Sequence, residues 1–400
     1  MTQLVNIMIK NRYIWATNLC IATISCPQAY ADTISKTSNS VTLNISSKSK
    51  SKAASNAVID YVNATSLDLP TPFSIHDTQI DIINSFTSAA SVFKGTPSGQ
   101  PGFEGNGKQA PVDVGAPASS GNGGVTSMAF GTSAQPFTTS RADLSSATNT
   151  MYPYRATGKL FFNIGTATYV CSASLIKNGI IVTAAHCVAN FGTGKFHTNW
   201  QFIPGYRNGA APFGIWTATS ATVLRSYLNG TGSCAVRGVV CEDDVALIQI
   251  APKGTGPTYP GITTGYYAYG MDGYGFTTAG QTQITQLGYP VTLDSGAYME
   301  RTDSYGFKSV ANSSNTIIGS NMGGGSSGGP WLINFGINPV LTGAGTPSAS
   351  VANTLVGVTS WGYTNTGVMQ QGASPFLSSN LGVLITTVCP SQTVTNERCL

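Results

Sequence analysis

Thr183-Ala184-Ala185-His186-Cys187, preceded by the apolar run Ile180-Ile181-Val182, is the stretch on which the reading of the fold turns. A short run of β-branched apolar residues bounded by a polar step reads as a buried strand. His186 therefore stands just past a strand end, beside a cysteine that can tie it down. The chain holds three histidines, His76, His186 and His197, so histidine chemistry has few places to act. A histidine presented this way can serve as a general base if a nucleophile and an orienting carboxylate lie elsewhere.

Both candidates lie downstream. Glu242-Asp243-Asp244 leads into a second strand-like run, Val245-Ala246-Leu247-Ile248-Gln249-Ile250. A carboxylate at the entrance of a buried strand can hold an imidazole in one tautomer. Further on lies Gly323-Gly324-Gly325-Ser326-Ser327-Gly328-Gly329-Pro330-Trp331. Glycines there let backbone N–H groups approach a developing oxyanion. Residues 324–328 and 325–329 both fit G-x-S-x-G, the nucleophile elbow of α/β-hydrolases. That reading needs a histidine after the serine, and none follows His197. A phosphate-binding loop would end in Lys-Ser/Thr and open a helix, which this segment does not. No H-E-x-x-H or paired C-x-x-C occurs, so no metal is expected, and no cofactor. His76 and His197 have no partner motif and are expected at the surface.

Taken together, Thr183-Ala184-Ala185-His186-Cys187, Asp244-Val245-Ala246-Leu247 and Gly325-Ser326-Ser327-Gly328-Gly329-Pro330 resemble the three signature blocks of chymotrypsin-like (trypsin-fold) serine proteases. Leu355-Val356-Gly357-Val358-Thr359-Ser360-Trp361-Gly362 is similar to the family strand that pairs with the substrate backbone. The resemblance runs from about Tyr152 to the C-terminus. It implies an all-β fold, two packed six-stranded antiparallel barrels with a short C-terminal helix near Leu381–Val388. His186 and Asp244 would come from the first barrel and Ser327 from the second.

The same resemblance assigns roles. His186 is the expected general base and later the general acid. Asp244 orients it, being the acid directly before Val-Ala-Leu, which leaves Asp243 as a solvated surface acid. The Gly-Gly-Pro anchor selects Ser327 over Ser326 as nucleophile, with the N–H groups of Gly325 and Ser327 as the oxyanion hole. Asn321 falls at the floor of the pocket for the residue before the scissile bond, and Ser360, Trp361 and Gly362 would bind substrate. An amide at the floor cannot offset a buried substrate cation as a carboxylate would. Glutamate-selective relatives carry a histidine where Thr359 stands here. A small, polar or apolar residue is therefore the expected preference. Leu287-Gly288-Tyr289-Pro290 is similar to the bacterial secreted branch that includes the glutamyl endopeptidases. Ser326 replaces the aspartate that, in the animal digestive enzymes, pairs with a freed N-terminal amine. That insertion switch is thus expected to be absent. Rival readings are a catalytically inactive binding or adhesion protein on a protease scaffold, and an esterase.

Charged residues make up 9% of the chain and glycine is abundant, a profile of a turn-rich, secreted β-protein. Lys10 and Arg12 precede an apolar stretch from Tyr13 to about Ile24, and Ala29-Tyr30-Ala31 offers a small-x-small cleavage site. Thr17, Asn18, Thr23 and Ser25 interrupt that stretch, against the roughly 20 apolar residues of a membrane anchor. Residues 1–31 are thus predicted to be a signal peptide, removed near Asp32 on export to the extracellular or periplasmic space, with no membrane contact afterwards.

Cleavage removes Cys20 and Cys26 from the eight cysteines, leaving an even set in an oxidising compartment. Spacing alone leaves their connectivity open. The family resemblance pairs Cys171 with Cys187, and proximity then pairs Cys234 with Cys241 and Cys389 with Cys399.

Residues 32–125 read as a prosegment ending in a linker, and 126–400 as the protease domain. From Asp32 to about Asn56 the chain is Ser/Thr/Lys/Asn-rich and reads as flexible. Ile82, Phe86, Ala89 and Phe93 have helix-like spacing, and 95–124 is Gly/Pro-dense. Such a prosegment suits a folding aid or a steric plug, that is, a zymogen. Strands are predicted at Lys159–Ile164, Ala246–Ile250 and Thr354–Trp361. The net charge of +4 is dispersed, and its one basic cluster, Lys48, Lys50 and Lys52, lacks interleaved aromatics. Nucleic acid is therefore excluded as a partner. A peptide or protein substrate and a monomer are expected.

Overall fold

A computed structural model describes residues 32–46, 58–67, 70, 96–97, 102–109, 111–116, 129–130, 136–142, 147–232, 242–256, 258–277, 280–308, 316–336, 351–362, 369–390 and 397–400. The proposed signal peptide, His76, the helix-like pattern at Ile82–Phe93 and the Cys234–Cys241 pair lie outside these residues.

An N-terminal hairpin, β1 (Thr33–Lys36) and β2 (Ser40–Asn44), comes first. Six strands follow: β3 (Thr157–Ile164), β4 (Ala167–Lys177), β5 (Ile180–Thr183), β6 (Thr198–Pro204), β7 (Trp216–Leu224) and β8 (Ala246–Ile250). They pair antiparallel in the order β6-β3-β4-β5-β8-β7, and β7 returns to β6, closing a barrel. The second set is β9 (Gln281–Gly288), β10 (Glu300–Lys308), β11 (Thr316–Gly319), β12 (Pro330–Ile333), β13 (Thr354–Gly362) and β14 (Gln370–Pro375). Its order is β9-β10-β11-β14-β13-β12, and β12 returns to β9. Closure pairs each strand of a ring on both sides over part of its length and requires the strands to bend. Register shifts at Ile180/Ile181, Ala218/Ser220 and Thr359/Trp361 supply bends of the bulge type.

The three predicted strands coincide with β3, β8 and β13. Their apolar runs are nearly continuous because almost every residue of these strands is buried. That helix, α1 (Val383–Val388), follows a π-type turn at Ser378–Gly382 and packs on β7 and β8. The Cys389–Cys399 disulfide fastens the chain beyond it.

One hydrophobic core crosses the seam between barrels, joining Phe161, Leu247 and Ile248 to Leu287, Leu355 and Val358. Tyr289 donates its hydroxyl to the Tyr206 carbonyl across that seam at 2.9 Å. Lys159 sits there too, donating to the Gly296 carbonyl at 2.8 Å, and burial pushes its pKa down to about 7.

The stretch read as flexible contains order that composition hid. β2 adds to the free side of β7 over Ser220–Leu224, and Val41 is buried. The cause is a short alternation, Ser40-Val41-Thr42-Leu43-Asn44, among many polar residues. Thr42 and Thr222 share a cross-strand hydroxyl contact at 2.9 Å. Within the Gly/Pro-dense stretch, Phe103 pairs antiparallel with Tyr266, and Val112–Asp113 pair with Ala210–Ala211.

Candidate active site

Antiparallel pairing of β5 with β8 sets Val182 opposite Leu247 and Thr183 opposite Ala246. His186, three residues beyond Thr183, is thereby brought beside Asp244, two residues before Ala246. A single 3-10 turn, Ala185–Cys187, carries the imidazole. Asp244 is buried and accepts two hydrogen bonds from His186, one from the backbone N–H at 2.8 Å and one at Nδ1, 2.7 Å. The acceptor at Nδ1 means that this nitrogen carries the proton, which leaves Nε2 as the basic nitrogen of the neutral ring. The carboxylate takes a third bond from the Ser360 hydroxyl at 2.6 Å.

That third bond follows from a bulge. Thr359 pairs with Ala373 and Trp361 with Gly372, so Ser360 is the unpaired extra residue of β13. An extra residue re-aims its side chain, here toward the carboxylate. Gly372 has no side chain because the Trp361 ring lies directly over it.

The Cys171–Cys187 disulfide ties β4 to the turn carrying His186, with a Cα–Cα separation of 6.3 Å. Because these two sulfurs are joined, the close grouping of Cys171, His186 and Cys187 offers no thiolate to a metal. His197 is not at the surface. It is buried, stacked on Phe162, and its Nε2–H donates to the His186 carbonyl at 3.0 Å. Burial lowers its pKa to about 4, so it remains neutral and braces the imidazole-bearing residue from behind. Asp243 is likewise more enclosed than a solvated acid. It accepts from Ser226 Oγ at 2.5 Å, and burial raises its pKa.

The glycine-rich turn is held from several sides. Ser172, next to Cys171 on β4, donates its N–H to the Ser327 carbonyl at 2.8 Å and its hydroxyl to the Gly325 carbonyl at 2.9 Å. The same hydroxyl accepts from Tyr289 N at 2.9 Å. Gly328 N donates to the Thr359 carbonyl at 2.8 Å. A Cβ on Gly328 would come within 2.8 Å of Ala184 N, so the turn lies against the end of the strand leading to His186. Gly325 adopts φ +95, and a Cβ there would approach the Tyr289 carbonyl to 2.5 Å. Only glycine fits.

The carbonyl of Gly324 accepts from Val291 N at 2.8 Å, and that of Ser326 from Gly329 N at 2.8 Å. In a trans peptide N–H and C=O point opposite ways. The N–H groups of Gly325 and Ser327 therefore face away from these tied carbonyls. Ser327 Oγ and His186 Nε2 are both buried and have no hydrogen-bond partner among the described residues.

Ser326 is built into the interior. Its hydroxyl donates to the Gly323 carbonyl at 2.7 Å and accepts from Gln371 Nε2 at 3.2 Å. Gln371 also donates to the Met322 carbonyl at 2.5 Å and accepts from Gln286 at 2.5 Å. Gln286 in turn reaches Thr359 Oγ1 at 2.8 Å. This buried amide network has no sequence motif, because its members lie on three different strands and one loop. Asn321 is half-buried beside it, with Oδ1 unpartnered among the described residues.

The model of the family described as Trypsin matches residues 145–374. Similar solved structures include a protease from Arthrobacter nicotinovorans, at 23% identity and TM-score 0.47, covering 59% of this chain and 96% of that one. A thermostable serine protease from an extremophilic microorganism matches at 23% identity and TM-score 0.45, over 56% and 93% of the two chains. A Glu endopeptidase matches at 19% identity and TM-score 0.44, over 63% and 97%. No curated protein gives a significant match. With two closed six-stranded barrels and a family segment spanning more than half its length, the chain belongs to the trypsin family of chymotrypsin-fold serine proteases.

Proposed function

We propose that the chain is a secreted serine endopeptidase acting through Ser327, His186 and Asp244. The observation that supports this most directly is the pair of buried, unpartnered atoms, Ser327 Oγ and His186 Nε2, with Asp244 anchored on the far side of the ring. Most buried polar atoms have a hydrogen-bond partner, and two unpartnered ones on the proposed nucleophile and base are consistent with groups kept for chemistry. In substrate-free proteases of this kind, the serine–imidazole bond is often loose and tightens on binding.

In the proposed cycle, Ser327 Oγ attacks the scissile carbonyl carbon while its proton passes to His186 Nε2. The amides of Gly325 and Ser327 receive the oxyanion. Collapse breaks the C–N bond, and His186 returns the proton to the departing amine. Water, deprotonated by His186, then attacks the acyl ester, and the acid is released from Ser327. Asp244 steadies the imidazolium throughout. The acyl side of the substrate lies along Ser360, Trp361 and Gly362, with the side chain before the scissile bond over Asn321. The uncharged floor supports a small, polar or apolar residue there.

Export is supported by the N-terminal sequence and by two disulfides, which persist in oxidising compartments. No helix among the described residues is long and apolar enough to cross a membrane. Labelling with a small fluorophosphonate tests the site. Wild type is expected to react once, at Ser327, and Ser327→Ala not at all. Labelling of the alanine variant at another serine would refute the assignment.

A further inference from the structure

The substrate cleft implied by the proposed function, between the glycine-rich turn and the Ser360–Gly362 strand, holds a stretch of the chain's own N-terminal part. Thr65 and Ser66 pair in parallel with Tyr169 and Val170 of β4, immediately before Cys171 and Ser172. Next in sequence, Leu67 lies on the glycine-rich turn, where a Cβ on Gly324 would come within 2.5 Å of its carbonyl oxygen. Ser66 Oγ lies on the same spot, 2.7 Å from that position. Three residues further, the Pro70 carbonyl accepts from Gly362 N at 3.1 Å, on the strand proposed to bind the acyl side. The approach is anchored on the first barrel. Ile59 is buried, Asp60 N donates to Thr168 Oγ1 at 3.0 Å, and Tyr61 packs edge-on against Phe161 at 5.0 Å. Tyr61 also donates its hydroxyl to Gln201.

Direction distinguishes this occupant from a substrate. Ser360 sits against Asp244 and Gly362 lies two residues further along the strand. A substrate with its acyl side on Ser360–Gly362 and its carbonyl at Ser327 must run, N to C, from Gly362 toward the glycine-rich turn. The native segment runs the other way, from Val170 past Gly324 to Gly362. A reversed chain can still make a backbone hydrogen bond with the cleft strand. It exchanges the sides on which acyl group and leaving amine lie, so the hydroxyl and the proton-donating imidazole do not meet them in attack order.

We propose that Thr65–Leu67 and Pro70, anchored by Ile59–Tyr61, are an internal inhibitor occupying the substrate cleft in reverse polarity, so that the intact chain is inactive toward peptides and resists cutting at this stretch. The inference rests on the triad reading, because it takes Ser327 and the Ser360–Gly362 strand as the working site. It also selects between the two roles expected for the prosegment, giving this part of it the role of a plug.

The test uses the exported chain with its prosegment retained, its mass verified, as wild type, Tyr61→Ala and Ser66→Pro. Tyr61→Ala removes an anchor, and Ser66→Pro places a residue of fixed φ in the short strand paired with Tyr169 and Val170. Two measurements are made on each: fluorophosphonate labelling of Ser327 and initial hydrolysis of a fluorogenic peptide library. Thermal unfolding verifies that each variant is folded, and two variants guard against one failing. The expected result is labelling of Ser327 in all three, with peptide hydrolysis at least 10-fold faster in the variants. Equal hydrolysis in wild type and a folded variant, with Ser327 labelled in both, overturns the inhibitor and leaves the triad standing. Failure of Ser327 to label in any of them overturns the triad reading and the inhibitor with it. Sequencing of the first autolysis products supplies a separate check, since a first cut between residues 65 and 70 would overturn the reversed polarity.

Discussion

Asp244 accepts from the amide of His186, from its ring and from Ser360, and each bond removes a different freedom: position, tautomer and carboxylate rotation. A hydrogen bond to a charged group contributes about 1.5–3 kcal/mol. Ser360→Ala is therefore expected to lower kcat by about 10- to 100-fold with little change in KM, since the lost bond touches the imidazolium's partner and not the substrate. Steady-state kinetics on a peptide substrate would show it, and an unaltered kcat would show that the Ser360 hydroxyl has no part in holding Asp244 for the reaction. His197 gives a pH signature of its own. Its folded pKa, near 4, lies below the ordinary 6.5 because of burial. Between those values the unfolded chain binds the extra proton, so stability is full above about pH 6.5 and is lost as pH falls toward 4. His197→Gln is expected to flatten the dependence of Tm on pH in that window. A curve as steep as wild type would assign the acid sensitivity elsewhere. The residues proposed to react were legible because each lies in a short local motif. His197 was not, because nothing in Phe196-His197-Thr198 announces a partner eleven residues back at the His186 carbonyl.

At the scale of elements, strand register and one covalent tie place the imidazole. β5 pairs with β8, and Cys171–Cys187 joins β4 to the following turn. A disulfide closing a loop of this size contributes about 3 kcal/mol, mainly by restricting the unfolded chain. Selective reduction of this bridge is expected to reduce peptide hydrolysis before circular dichroism reports loss of the barrels. Unchanged activity with this bridge alone reduced would show that register suffices. The apolar runs that became β3, β8 and β13 were readable because a barrel strand covered on both faces is locally hydrophobic. Hairpin β1–β2 was missed for the converse reason, since its one buried apolar side chain in Ser40-Val41-Thr42 is surrounded by polar residues.

For the whole molecule, the N-terminal part is joined to the family-matched segment at several places, among them the side of β7, the strand β4 beside Cys171, and the pairings of Phe103 and Val112–Asp113. Val41→Asp would place an unpaired charge at a buried position on that side. It is expected to lower the Tm of the full chain while leaving Ser327 reactive to fluorophosphonate. An unchanged Tm would show that the hairpin adds no stability. By itself the sequence determined the family, through four local blocks of residues, and singled out the residues proposed to react, because each lies in a short block with glycine positions that few other residues can fill. Only the tertiary structure decided that Ser360 and Ser172 brace the site, that a glutamine network underlies Ser326, and that Thr65–Leu67 and Pro70 lie against β4, the glycine-rich turn and Gly362. All of these are meetings between residues more than forty positions apart. They are fixed by barrel closure and strand register, which depend on the whole chain folding together and leave no mark in any single segment.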